Sequence, residues 1–242
     1  MKKKKVTIII PAYNEESNIA KVIDEVKKKI LYEKELIVID DFSIDKTTEI
    51  LKNLPEIDKK IFHTRNLGKG AAIKSALPYI TGDIVAIQDA DLEYDPKDLN
   101  KLIEKIFNQE SKVVYGSRIK NEKRYNQKNF ISNYRIFGNH ILTIISNYFN
   151  NQNLTDAHTC YKVIDKDIFL KLNLQENDFA FCPEVTTKLS LIGEKIIELP
   201  INYNGRSVEE GKKIRFKDAV KAFYTIIKYR LFNNINRKNM RY

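Results

Sequence analysis

Compact apolar runs alternate along this chain with longer stretches in which apolar residues recur every three or four positions. The runs Val6–Ile10, Leu36–Ile39 and Ile84–Ile87 are almost entirely apolar, which is typical of strands buried on both faces of a sheet. Shorter runs predict further strands at 60–63, 113–115, 161–164 and 196–199. Helical periodicity separates most of them, so the pattern predicts an α/β fold with a mostly parallel, doubly wound sheet flanked by helices.

The second half of the chain also carries two long amphipathic segments. Apolar residues mark one broad face over residues 130–149 and another over residues 216–232. Each face has two interpretations: it packs against the sheet, or it lies in a membrane interface or against a second subunit in a homo-oligomer. The sequence has no internal repeat, linker or low-complexity segment, and it therefore predicts one domain over residues 1–242.

Polar signatures follow the early strands at the points where those strands end. They are Pro11–Glu15, the pair Asp40 and Asp41, Asn66–Gly70, and Asp89–Asp91. Because right-handed crossovers bring the carboxyl ends of parallel strands to one edge, we expect these four segments to converge there. Converging loops of this kind are suited to hold a nucleotide.

Each signature offers one kind of contact to such a ligand. Tyr13 can stack on a base, or it can simply pack against its neighbours. Asp41 can accept hydrogen bonds from a base or a ribose. Gly68 and Gly70 let the backbone approach closely, although a turn before a helix would need the same residues. The four segments together, rather than any one of them, predict a nucleotide site.

Acidic residues cluster after the strand Ile84–Ile87. Asp89, Asp91 and Glu93 stand at alternating positions, and Pro96 then begins a predicted helix. Carboxylates at such spacing can bind one divalent cation, and hard oxygen ligands favour Mg²⁺ or Mn²⁺ shared with substrate phosphates. A polar loop that precedes a proline-capped helix is the alternative interpretation.

Charge and composition narrow the possible partners. The formal net charge is +10, and residues 200–242 hold eleven Lys or Arg against three Asp or Glu. That end is expected to face phosphates, nucleic acid or an anionic membrane surface, or to act only as a solubilising tail. No apolar run approaches the roughly 20 residues that span a bilayer. The two cysteines suggest no disulfide framework, which favours a reducing cytosol.

These motifs together resemble those of the family 2 glycosyltransferases, which have the Rossmann-like GT-A fold. The resemblance is closest to the dolichol-phosphate mannosyltransferase branch, the polyprenyl-phosphate sugar synthases. It is carried by Pro11–Glu15, Ile39–Asp41, Asn66–Gly70, Asp89–Glu93, Gly116–Arg118 and Arg206–Ile214. The last motif is the most specific, because many sugar transferases share the first three.

The resemblance implies a role for particular residues. Residues 1–118 would bind the nucleotide sugar, and residues 119–242, with their amphipathic helices, would bind the acceptor. The nucleotide would lie against Pro11, Tyr13, Glu15, Ile39 and Asp41. The diphosphate and the metal, Mg²⁺ or Mn²⁺, would lie at Asp89, Ala90, Asp91 and Glu93. Phosphates of donor or acceptor would be held by Arg118, Arg206 and Lys212, and the lipid phosphate by Arg135; Asp91, Arg118 and Arg206 would be essential to catalysis.

The implied activity is an inverting, metal-dependent transfer of mannose or glucose from a GDP- or UDP-linked sugar to a polyprenyl phosphate. The enzyme would be peripheral, at the cytoplasmic face of the membrane. Two departures from the family pattern concern specificity. Glu93 stands where many relatives have Gln, and Thr159–Lys162 stands where Ser-Gly-Phe-Arg is common.

Two alternative functions stay open from the sequence. A transferase acting on a sugar hydroxyl would need a carboxylate base, for which Asp178 and Glu184 are the candidates in the second half. A basic nucleic-acid-binding module is disfavoured, because the acidic cluster would repel phosphates in the absence of a metal.

Overall fold

A computed structural model of the chain describes residues 4–120, 130–205 and 216–232. Within these residues a single sheet contains seven strands, in the order β3-β2-β1-β4-β6-β5-β7. The strands are β1 (Lys5–Ala12), β2 (Glu33–Asp40), β3 (Lys59–Phe62), β4 (Ile84–Ile87), β5 (Val113–Ser117), β6 (Lys162–Asp165) and β7 (Ile197–Pro200). Each of the seven strands expected from the apolar runs is present, and the predicted mostly parallel α/β fold is confirmed.

Helices cover the sheet. They are α1 (Ile19–Lys29), α2 (Thr47–Lys52), α3 (Lys69–Ser75), α4 (Leu99–Phe107), α5 (Phe130–Asn150), α6 (Lys166–Lys171), α7 (Phe181–Leu191) and α8 (Phe216–Phe232). Short 3₁₀ helices occur at Leu77–Tyr79 and Pro96–Asp98. The helix expected at 71–80 therefore divides in two, because Pro78 lacks the backbone N–H that would continue the α-helical hydrogen bonding.

Strand β6 runs against its two neighbours, β4 and β5, whereas the other paired strands are parallel. Val163 lies opposite Ala86 on one side and Val114 on the other. The apolar run at 161–164 predicts a buried strand but contains no information on its direction. After α5 the chain re-enters the sheet at the edge where β5 ends, because Lys162, the first residue of β6, lies opposite Tyr115.

The two long amphipathic helices pack on the protein. Helix α8 contacts both α5 and α7, and its buried residues include Ala222, Thr225, Ile226 and Tyr229. One face of α8 is therefore buried within the protein, but mainly against other helices rather than against the sheet, as the first interpretation had it. Each helix also keeps exposed apolar side chains: Ile141, Ile144 and Tyr148 on α5, and Val220, Phe223, Tyr224 and Leu231 on α8. In the described ranges no helix is both long enough and apolar enough to cross a bilayer.

Candidate active site

The carboxyl ends of β1, β2 and β4 lie side by side, because β1 pairs in parallel with both of the others. This places Pro11, Asp41 and Asp89 at one edge of the sheet, as the polar signatures predicted. Asp41 is tied directly to the end of β1 by a hydrogen bond of 2.8 Å from its backbone N–H to the carbonyl oxygen of Ala12. The edge is thus built from residues far apart in sequence.

Asp41 binds the chain's own loop. Its Oδ1 accepts a hydrogen bond from the Leu67 N–H at 2.8 Å, and its Oδ2 accepts one from the Gly68 N–H at 2.7 Å. His63 Nδ1 lies 2.7 Å from the same Oδ1, and the side chain of Asp41 is 5% exposed. The carboxylate predicted to meet a base or ribose also holds the Asn66–Gly70 loop in place, so it shapes the edge as well.

The glycines of that loop permit a close approach, but the neighbour is another part of the same chain. Gly68 adopts a φ of +95°, and a Cβ there would lie 2.6 Å from the Asn177 carbonyl oxygen. A Cβ on Gly70 would lie 2.4 Å from the Glu176 carbonyl oxygen, and the Ala71 N–H donates to Asn177 at 2.8 Å. The segment 176–178 therefore closes over the start of α3, which explains both glycines without a ligand.

Lys69, between the two glycines, reaches the acidic cluster. Its ammonium contacts the Asp89 carboxylate and lies 3.5 Å from Cys160 Sγ. Burial opposes the charged form of each partner, yet their mutual attraction prevails, so the pKa of Lys69 is raised and that of Asp89 is lowered. Lys69 was within a predicted motif but had no predicted role. A lysine between two glycines at a sheet edge is the signal that could have identified it.

The other two carboxylates of the cluster have separate environments. Asp91 Oδ1 accepts a hydrogen bond from the Glu93 N–H at 3.1 Å. Glu93 is buried, and its Oε2 accepts a hydrogen bond of 2.7 Å from the Tyr203 hydroxyl. Within residues 4–120, 130–205 and 216–232, no three His, Cys, Asp or Glu side chains form a group that could hold a metal. The expected three-carboxylate arrangement of Asp89, Asp91 and Glu93 is thus not formed in this structure.

The donors present nevertheless fit a shared metal. Mg²⁺ and Mn²⁺ are commonly held by one or two carboxylates, with water and substrate phosphates completing the shell. Asp89 and Asp91, which follow the buried strand β4, are the side chains that would supply such a pair of oxygen ligands. Glu93, the third predicted ligand, accepts a hydrogen bond from the Tyr203 hydroxyl, which fixes the position of one of its oxygens.

Arg118 is paired within the protein. Its Nε and Nη2 donate to the two oxygens of Asp156 at 2.6 and 2.8 Å, and its backbone N–H donates to Oδ2 at 3.2 Å. The guanidinium also lies 5.2 Å from the centre of the Tyr203 ring. The Asp156 backbone N–H in turn donates to Glu198 Oε1 at 2.9 Å. Arg118 was expected to bind phosphate, and the structure shows it already neutralised and oriented by Asp156.

Three tyrosines pack together next to the acidic cluster. Tyr94 packs against Tyr161 and Tyr203, with ring centres 4.7 and 5.1 Å apart. The Tyr161 hydroxyl donates to Gln88 Oε1 at 2.7 Å, and Gln88 donates to the Asp89 carbonyl oxygen at 3.0 Å. These tyrosines are far apart in the sequence and follow no regular spacing, so the sequence did not predict that they pack together.

The remaining predicted ligands divide into three groups. Ile39 is fully buried in β2 opposite Pro11, and Ala90 is buried as well. Glu15 is buried, and its carbonyl oxygen accepts hydrogen bonds from the start of α1, whereas Tyr13 is half-buried. Arg135 lies in α5 but its side chain is outside the described part of the chain, as are residues Arg206 and Lys212.

The two carboxylates considered as bases have structural partners. Glu184 is completely buried and accepts hydrogen bonds from the backbone N–H groups of Gln175 and Glu176 at 2.7 and 2.8 Å. Its Oε1 also lies 2.7 Å from the Lys188 ammonium. Asp178 caps its own loop through the Ala180 N–H at 2.9 Å. Asp178 also contacts the Lys221 ammonium, so both carboxylates already have partners within the protein.

Comparison with known proteins adds an independent line of evidence. A family model described as glycosyl transferase family 2 matches residues 7–172. The dolichyl-phosphate beta-glucosyltransferase ALG5A of Trichomonas vaginalis is 28% identical over 251 residues, which cover 95% of this chain and 74% of that protein. A UDP-N-acetylglucosamine–dolichyl-phosphate N-acetylglucosaminyltransferase of Methanococcus voltae is 30% identical over 249 residues, covering 94% of this chain and 96% of the relative.

A third relative, the dolichol-phosphate mannosyltransferase of Pyrococcus furiosus, is 28% identical over 219 residues, covering 86% of this chain and 59% of its own. Among solved structures, glucosyl-3-phosphoglycerate synthase of Mycobacterium tuberculosis with Mn²⁺, UDP and glucosyl-3-phosphoglycerate has a TM-score of 0.66. It is 17% identical, and the match covers 94% of this chain and 80% of the synthase. At that identity the likeness concerns the fold alone.

Proposed function

The chain belongs to glycosyl transferase family 2, and from that premise we propose that it transfers a hexose from a nucleotide sugar to a polyprenyl phosphate by a single, inverting displacement. The observation that carries the proposal is the convergence of Pro11, Asp41 and Asp89 at the carboxyl edge of the sheet. Ligands of open α/β sheets bind at that edge.

The acceptor is inferred from the relatives. Their names give glucosyl, N-acetylglucosaminyl and mannosyl transfer, and each of the three acts on a dolichol-type lipid phosphate. The sugar therefore varies among similar chains while the acceptor class is shared. For this chain we propose mannose or glucose, carried by GDP or UDP.

Donor binding would use the edge built by β1, β2 and β4. Tyr13, which is half-buried there, would stack on the base. Pro11, Glu15, Ile39 and Asp41 would surround the nucleotide. Asp89 and Asp91 would hold Mg²⁺ or Mn²⁺ against the diphosphate. When bound, the cation would stabilise the negative charge that develops on the departing nucleoside diphosphate.

An acceptor phosphate needs positioning rather than activation. Its second pKa is about 6, so it is already largely ionised at neutral pH and requires little help from a base. Arg206, Lys212 and Arg135 would supply cations to orient it, and Arg118, whose charge is balanced by Asp156, would help to shape the same site. Glu184 is buried and accepts hydrogen bonds on both carboxylate oxygens, which argues against it as the base that a hydroxyl acceptor would need.

We place the reaction at the cytoplasmic face of a membrane. The exposed apolar side chains of α5 and α8 include Ile144, Tyr148, Val220 and Tyr224. Residues 200–242, which include α8, hold eleven Lys or Arg against three Asp or Glu. Exposed apolar side chains in a segment of net positive charge are suited to the interface of an anionic leaflet, where a lipid phosphate is presented.

The direct test offers radiolabelled GDP- and UDP-sugars together with a short polyprenyl phosphate, and separately with free sugars. Label should enter the organic phase only with the lipid phosphate and a divalent cation. The variant Asp91→Ala should abolish transfer while thermal unfolding stays near that of the unaltered protein. Label that enters free sugars but never the lipid would refute the proposed acceptor.

A further inference from the structure

The contact between Lys69 and Asp89 places a resident cation where the proposed function requires a metal. The ammonium lies against Asp89 Oδ1, and the two side chains are only 18% and 19% exposed. The thiol of Cys160 lies beside the same pair, with its Sγ 3.5 Å from the Lys69 ammonium nitrogen. In this state Asp89 is therefore neutralised by the protein itself.

The position of Lys69 is fixed by its surroundings. Gly68 is held by Asp41 through a hydrogen bond of 2.7 Å, and Gly70 abuts the backbone of residues 176–178. Lys69 is the first residue of α3, and its backbone cannot shift without disturbing the contacts of these two glycines. The long side chain, in contrast, contains four methylene groups and can rotate away from Asp89 while its Cα stays in place.

We propose that Lys69 competes with the divalent cation for Asp89, so that the metal binds well only together with the nucleotide diphosphate. This inference rests on the proposed function, because it takes Asp89 as a metal ligand. An ammonium beside that carboxylate repels an arriving cation and occupies an oxygen the cation would use. A diphosphate brings additional oxygen ligands and negative charge, which offset both effects. Lys69 is in this sense a positioning residue that couples metal binding to donor binding.

The test measures Mn²⁺ binding directly, by the loss of the electron paramagnetic resonance signal of free Mn²⁺, on the full chain with and without UDP or GDP. Lys69→Met removes the charge, and Lys69→Arg retains it. Lys28→Met is the matched control, because Lys28 pairs with Asp24 at 2.8 Å on the exposed face of α1. Thermal unfolding of each variant is recorded first, and Lys69→Gln replaces Lys69→Met if the latter does not fold.

Groups that contact a metal ligand commonly alter metal affinity about 10- to 100-fold. Lys69→Met should accordingly bind Mn²⁺ alone about 10-fold or more tightly than the unaltered chain, and added nucleotide should enhance its binding less. Lys69→Arg and Lys28→Met should behave like the unaltered chain. Equal affinity of Lys69→Met and the unaltered chain for Mn²⁺ alone would overturn the inference, as would a failure of all of them to bind Mn²⁺ with nucleotide present.

Sugar transfer to a polyprenyl phosphate by the unaltered chain is measured in parallel, so that the two proposals can fail separately. Transfer without the expected Mn²⁺ difference would overturn only the role of Lys69. The expected Mn²⁺ difference without transfer to the lipid would support Lys69 as the competing cation and overturn the proposed acceptor.

Discussion

Replacing Asp156 with Asn tests whether Arg118 is neutralised inside the protein. The Asp156 side chain is 4% exposed and accepts three hydrogen bonds from Arg118. Removing one partner of a buried ion pair destabilises a protein by about 3–5 kcal/mol, because the other charge stays buried without a partner. Asn keeps one acceptor oxygen and the size of the side chain, so we expect the lower end, about 3 kcal/mol.

That loss should appear as a fall in melting temperature. For a chain of 242 residues, each 1 kcal/mol shifts the midpoint by about 2–4 °C, which gives a decrease of about 6–12 °C. The control is Asp24→Asn, whose partner Lys28 is exposed. An exposed pair of this kind contributes about 0.3–0.5 kcal/mol, so the control should shift the midpoint by about 2 °C at most. Thermal unfolding followed by circular dichroism measures both variants.

The pH dependence provides a second check of the same pair. Although burial alone would raise it, Arg118 lowers the pKa of Asp156 below its usual value. The stabilisation is therefore complete above the unfolded pKa of about 3.9 and is lost as the pH falls through the lower native value. The difference between the protein and Asp156→Asn should shrink over that acidic range. A midpoint shift at neutral pH no larger than that of Asp24→Asn would refute the reasoning and return Arg118 to the role of a free phosphate ligand.

Three further predictions follow from other parts of the structure. In thermal unfolding, Gly70→Ala should destabilise the protein, because a Cβ there would lie 2.4 Å from the Glu176 carbonyl oxygen. The control Gly138→Ala, on α5 with no atom within 4 Å of the added Cβ, should be neutral or stabilising by about 1 kcal/mol. Burial, reinforced by nearby cations, lowers the pKa of His158 to about 4. The unfolded chain therefore binds a proton that the native protein does not, and the free energy of unfolding should fall by roughly 3 kcal/mol as the pH decreases from about 6.5 to 4. The variant His158→Asn should lack most of that decrease when unfolding is measured in urea. The double variant Val220→Glu and Tyr224→Glu, at positions that are 56% and 61% exposed, should sediment less with anionic liposomes and still bind the nucleotide sugar. Unchanged sedimentation would contradict the membrane role of α8.

The sequence by itself determined the elements and the edge at which the site forms. Buried strands such as β1, β2 and β4 could be predicted because each is a short apolar run, which is a local property of the sequence. The polar residues that follow those runs could also be identified, and the parallel topology places them together. For this reason the mostly parallel sheet and the convergence of Pro11, Asp41 and Asp89 could be predicted from the sequence.

The tertiary structure decided which group each polar residue meets. Asp41 binds the Asn66–Gly70 loop, Lys69 neutralises Asp89, and Arg118 is held by Asp156. The sequence likewise did not predict that β6 is antiparallel to its neighbours or that residues 176–178 pack against Gly70. The physical reason is that hydrophobic periodicity records whether a residue is buried, whereas an ion pair between residues 20 or 38 positions apart depends on how separate elements pack, which no local pattern contains.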